Sequence, residues 1–162
     1  MTRGQAERLM LLLQELLAEA GATWQDLHAI GVGIGPGNFT GIRIAVSAAR
    51  GLALGLGVPA VGVTGFEARA RIAPAGQTAV IPAPRDQVYL CQDGTPRLLP
   101  REAALQDVGP LWAEPSPRDL PVSIARIAAE RWRDAPAAPA PLYVRPADAA
   151  PSKDQPPRLL DE

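Results

Sequence analysis

Excess positive charge, paired cysteines and a second histidine are all missing from this 162-residue chain. Its 16 basic and 17 acidic residues leave a formal net charge of -1, so there is no field to hold a phosphate backbone and contact with RNA requires a partner. Cys91 stands alone, which excludes an internal disulfide and a multi-cysteine metal centre and suits a reducing compartment. The single histidine, His28, lies at a strand entrance with no orienting acid near it, and Ser47 and Ser123 have no neighbouring histidine; a nucleophilic triad is not legible. Glu67, Asp86 and Asp93 are isolated, and Glu15 and Glu19 lie one turn apart on a solvated helix face, so there is no acid and base pair. Long apolar runs are missing too. Gln14 and Glu15 break the stretch Leu9 to Leu17, and the apolar helix after residue 40 carries Arg43 and Arg50, so neither reads as a membrane span. With no signal peptide evident, a cytoplasmic protein is expected.

What is present is enough apolar material, 47% of the chain, for a real core. Residues 4 to 20 form a helix in which Leu9, Leu12, Leu13, Leu16, Leu17 and Ala20 repeat at helical spacing until Gly21 stops it. Met10 widens the apolar arc to roughly 160°, and Leu11 falls outside it among charged residues. Such a helix is expected to touch two surfaces, its own sheet and a neighbouring helix. Thr23 and Asp26 make a capping box before a buried strand, Ala29 to Gly33. A second helix runs from Phe39 or Thr40 to Leu54, capped by Asn38 or Thr40 and stopped by Gly55 or Gly57. Its many small residues predict close packing and burial over most of its surface; Arg43, Ser47, Arg50 and Leu54 form its one partly polar stripe.

Val58 to Val63 is a second buried strand and Thr64 to Arg71 starts another helix, which predicts a parallel pair joined by a crossover. From Thr78 the pattern changes. Thr78 to Ala83 and Gln87 to Gln92 are short strands, Pro82 and Pro84 push the first towards a sheet edge, and Asp93-Gly94 marks a turn. Residues 122 to 133 read as a helix. The expected organisation is a first lobe over 1–70, a smaller second lobe over 71–134 and a proline-rich extended or disordered tail over 135–162, with Tyr143 and Val144 docking as a last strand.

The sharpest motif is the turn Gly35-Pro36-Gly37-Asn38-Phe39-Thr40, with Arg43 one turn into the helix that follows. Amides at such a helix start favour phosphate. A phosphate loop of the Walker type needs lysine, which is absent, and the dinucleotide pattern fails because Thr40 replaces its third glycine and no acid follows about twenty residues on. From the residues alone this is an α/β binding module, with an enzyme as the weaker alternative.

The block Gly35 to Ile44, with Ala49 to Pro59 and Val61 to Ala68, closely resembles the TsaB family, also called YeaZ-like; Val80 to Tyr89 and Pro141 to Arg145 resemble it more loosely. The resemblance implies an actin-like, sugar-kinase-like (ribonuclease H-like) α/β fold. It also implies a non-catalytic scaffold in making N6-threonylcarbamoyladenosine at position 37 of tRNA. The implied partners are a catalytic TsaD-type subunit, a TsaE-type ATPase or a second copy, with tRNA reached only through the complex. The chain itself would hold no metal or cofactor, ATP or ADP entering only with the complex. Family members pair through their first two helices, which places the interface at Met10, Leu11, Leu17, Gly41, Ile42, Ala45, Val46 and Ala49. Against the family pattern the N-terminal Asp-Thr-Ser strand and its hairpin are missing, so the expected fold lacks those strands and leaves Ala29 to Gly33 as an edge. A nucleotide-binding phosphotransferase or glycoprotease-like hydrolase of the same fold, or a shortened inactive form, are the alternatives.

Overall fold

The structure, a computed structural model, describes residues 5–116, 118–134 and 137–144. Its centre is a parallel pair, β1 (Ile30–Gly33) and β2 (Ala60–Val63), joined by the long helix α2 (Phe39–Leu56). The two faces of this pair are set by residue size. Ile30, Val32 and Ile34 point to one face and close on Ile42, Val46 and Ala49 of α2. On the other face Gly31 and Gly33 carry no side chain, and a Cβ on Gly31 would sit 2.9 Å from that of Ala128 on α5 (Asp119–Arg131). Glycine there lets one helix lie directly on the strand. Each large aliphatic side chain buried in this sandwich contributes about 1.5–3 kcal/mol.

α2 begins where the Asn38 side chain accepts the Gly41 N–H at 2.7 Å and ends at Gly57, whose φ of 66° turns the chain out of the helix. Only Ile42, Val46, Ala49 and Ala53 are buried on it, so the small residues do not bury most of the helix as expected. By length and composition α2 could cross a membrane, but that buried face is part of the core. α3 (Gly65–Ala70) follows β2 through a reciprocal capping box: Thr64 Oγ1 accepts the Glu67 N–H, and the Glu67 carboxylate accepts the Thr64 N–H at 2.9 Å. Buried Ser123 of α5 donates to the Ala68 carbonyl at 2.8 Å. Two exposed ion pairs, Arg71 with Glu130 and Arg131 with Glu67, each at 2.6 Å, join the end of α3 to α5 at the surface, where water screens them.

The later half carries the parallel pair β3 (Thr78–Ala79) and β7 (Leu111–Trp112), and an antiparallel meander of β4 (Ile81–Ala83), β5 (Gln87–Gln92) and β6 (Thr95–Pro100), backed by α4 (Arg101–Val108). Val80, Val88, Leu90, Ala104 and Ala113 form its core. β4 is an edge strand, in line with its proline. The Asp93-Gly94 turn has φ of 49° and 77°, the backbone a tight hairpin needs. β6, α4 and β7 have no counterpart in the sequence reading, because Pro96 and Pro100 disguise a strand that tolerates them only as the far edge of the meander.

Three more expectations change. The final helix starts three residues earlier than predicted and packs on β1, β2 and α3, so the segment assigned to the second lobe returns to the first. Residues 137–144 form no strand but run extended across the first half: Leu142 donates its N–H to the Ile34 carbonyl at 2.8 Å and Pro139 is buried against Gly62. The remainder of the proline-rich tail, from residue 145, lies outside the described residues. α1 (Gln5–Glu19) stands outside the sandwich, and the two-surface packing expected of it is not seen: Leu12 and Leu16 remain about half exposed.

Candidate functional site

The glycine-rich turn is held by the protein's own groups. Gly35 has φ of 104°, its carbonyl accepts the Gly65 N–H at 2.7 Å, and Pro36 behind it is buried. A Cβ at Gly35 would lie 2.7 Å from Ile42 Cδ1 and 2.9 Å from the Leu142 carbonyl oxygen. Asn38 takes the Gly41 amide and its own carbonyl takes that of Ile42. The turn thus ties β1, α2, α3 and the 137–144 segment together, and two of the amides that would draw a phosphate are already engaged.

Beyond the turn, Arg43 lies 3.9 Å above the centre of the Phe39 ring and donates Nε–H to the Tyr143 hydroxyl at 2.9 Å. Phe39 and Tyr143 are themselves 4.9 Å apart. An arginine at the positive end of a helix is unfavourable by itself; the aromatic pair supplies a cation-π and hydrogen-bond environment that offsets this. Thr40 is exposed at the first turn. Nearby, Arg69 is half-buried with its Nε unpartnered, and burial pushes its guanidinium pKa down. Among the described residues no group of three or more histidine, cysteine, aspartate or glutamate side chains could hold a metal ion.

The residues expected at a partner interface separate into two sets. Met10 and Leu11 on α1 are 44% and 61% exposed, and Leu12 and Leu16 are exposed as well, the four spread around the helix. Leu17 is half-buried beside a cleft shared with Trp24 and Leu52. Ile42, Val46 and Ala49 are not available to a partner: all three are buried under Val32, and half-buried Ala45 packs against them. Gly41 sits against the capping Asn38. The part of α2 that is open lies about a third of a turn round the helix, where Ala48, Gly51 and Gly55, flanked by Leu52 and Leu56, line a groove of about 520 Å³ closed by Met10 and Trp24 of the first segment. Branched Ile42 and Val46 were the signal for the inward face, with Ala49 and Ala53 on the same arc, while Ala48, Gly51 and Gly55 fall on the open one. A further exposed leucine, Leu54, stands at 85% exposure on the adjoining face.

The sequence matches, over residues 1–108, the family described as TsaD, tRNA N6-adenosine threonylcarbamoyltransferase. An uncharacterized protein of Mycobacterium tuberculosis is 36% identical over 169 residues, spanning 92% of this chain and 79% of that one. The tRNA threonylcarbamoyladenosine biosynthesis protein TsaB of Escherichia coli is 40% identical over 62 residues, 38% of this chain and 27% of the relative. Among solved structures, YeaZ from Pseudomonas aeruginosa superposes with a TM-score of 0.61 at 27% identity, covering 88% of this chain and 85% of the other. The mixed α/β architecture fits an actin-like, ribonuclease H-like fold.

Proposed function

The chain belongs to the TsaD family, as a TsaB/YeaZ-like protein, and we propose that it acts there as a non-catalytic scaffold subunit in forming N6-threonylcarbamoyladenosine on tRNA. Its partner is the catalytic TsaD-type subunit, a TsaE-type ATPase joins the assembly, and tRNA and ATP or ADP are met only in the complex, in the cytoplasm. The observation that carries this reading is the small-residue groove on α2, closed by the exposed Met10 of α1 with exposed Leu11 next to it in the chain. A partner helix laid into that groove would approach the α2 backbone closely and cover the exposed Met10 side chain that closes it.

The engagement of the glycine-rich turn by Asn38, Gly65 and the 137–144 segment supports a structural role for the motif that most invites a nucleotide. The near-neutral charge supports the absence of direct tRNA binding. The test is size-exclusion chromatography with light scattering of this chain alone and mixed with the TsaD-type protein of the same organism. A one-to-one complex lost in Leu11→Glu is the expected result; a monomer indifferent to TsaD would overturn the scaffold reading.

A further inference from the structure

The stripe of α2 that the core does not use is cationic. At about 100° per residue, Arg43, Ser47, Arg50 and Leu54 fall within about 60° of one another, on the rim of the α2 groove opposite Leu52 and Trp24. All four are exposed. The two arginines stand two turns apart, about 10.5 Å along the axis. α2 has no acidic residue from Phe39 to Leu56, and among the described residues neither arginine has an ion-pair partner. Arg43 is also held before any partner arrives. The Phe39 ring lies under its guanidinium at 3.9 Å and the Tyr143 hydroxyl accepts its Nε–H at 2.9 Å, while its two terminal nitrogens have no acceptor among the described residues. An exposed arginine ordinarily gives up rotamer freedom when it pairs; here much of that ordering is built into the fold, and the remaining donors form the planar fork that matches a carboxylate.

We propose that these arginines select the partner: the helix of the catalytic subunit that enters the α2 groove carries aspartate or glutamate along the edge that meets Arg43 and Arg50. This deepens the scaffold reading and rests on it. The small residues Ala48, Gly51 and Gly55 set how near that helix comes. The arginines set which helix it is, because one of the wrong charge would bring cations together as water leaves the seam. The same charges argue against a second copy as occupant. Its α2 would add two more arginines and no carboxylate, and the α1 acids Glu15 and Glu19 lie about 140–180° round that helix from Met10, away from the groove.

Calorimetric titration of the full chain into the TsaD-type subunit of the same organism measures the effect. Arg50 is exposed and makes no ion pair among the described residues, so Arg50→Glu should leave Tm unchanged while weakening the complex at least about tenfold. The affinity of the native chain should fall as sodium chloride rises from about 0.05 to about 0.5 M, and the double variant Arg43→Gln with Arg50→Gln should flatten that dependence. Replacing the acidic helix residues of the partner with arginine, one at a time, should yield a variant that binds Arg50→Glu more tightly than it binds the native chain. A complex that ignores Arg50→Glu and salt, or the absence of any such rescuing variant, would overturn the charge selection and leave the scaffold reading standing; no complex at all would overturn both. A native chain that dimerises as tightly as it binds the TsaD-type subunit would put a second copy in the groove. Unchanged affinity between the proteins with weaker retention of tRNA by the complex would give the arginines to RNA, and either of these results overturns the proposal.

Discussion

Replacing Gly51 with glutamate should make the protein more stable and at the same time unable to hold its partner. Gly51 lies within α2, is exposed, and a Cβ built on it meets nothing within 4 Å. A good helix former there recovers about 0.6–1 kcal/mol of the backbone freedom that glycine loses. For a chain of this length that raises Tm by about 2–4 °C. The same position lines the floor of the α2 groove, where a partner helix would trap the new carboxylate among Met10, Leu52 and Leu56 with no cation beside it. An unpaired buried charge costs about 3–5 kcal/mol, which is about two to three and a half decades in Kd. Thermal unfolding followed by circular dichroism gives the first quantity and calorimetric titration with the TsaD-type subunit the second. An unchanged Kd would refute the groove as the docking surface. A fall in Tm would refute the packing argument, since it would require a neighbour that the open geometry does not contain.

Gly35→Ala should destabilise by more than about 2 kcal/mol, because it combines a disfavoured φ of 104° with a contact of 2.9 Å to the Leu142 carbonyl; urea unfolding measures it, and a loss below half that value would contradict the reading of the turn. Thr64→Ala removes one half of the α3 capping box and should cost about 1 kcal/mol in the same assay, with Thr64→Ser close to native. Burial pulls the Glu67 pKa up, but the Thr64 N–H, Arg131 and the Thr64 hydroxyl outweigh it and hold the group below its ordinary 4.5. A carboxyl depressed on folding adds stability that is complete above the unfolded value and is lost as pH falls through the lower folded one. Tm should therefore drop on acidification below pH 4.5, and Glu67→Gln should flatten that slope; an unaltered slope would show that another carboxylate carries it. Tyr143→Phe keeps the ring against Phe39 but removes the acceptor of Arg43 Nε–H, so it should lower stability by no more than about 1 kcal/mol while Tyr143→Ala costs more; equal effects would deny the ring its share.

The pattern of residues along the first seventy positions was sufficient for their elements, because each boundary there has a local chemical cause. Asn38 caps α2 and Gly57 ends it, Thr64 with Glu67 starts α3, and the runs Ile30 to Gly33 and Ala60 to Val63 are short, apolar and bracketed by turns. The glycine-rich block was also enough to point to the family. What the chain could not disclose from its order of residues was direction. Met10, Leu11, Ile42, Val46 and Ala49 look alike as apolar or small helix positions, yet the first two face solvent and the last three close the core, since only the position of β1 decides which arc of α2 is inward. In the same way the proline-bearing strand β6 becomes legible only beside β5, and the return of α5 to β1 and β2 depends on the absence of side chains at Gly31 and Gly33, a condition that matters only once the two elements meet. Local hydrogen bonding determines where an element begins and ends; burial is a property of pairs of elements, and only the tertiary structure decides it.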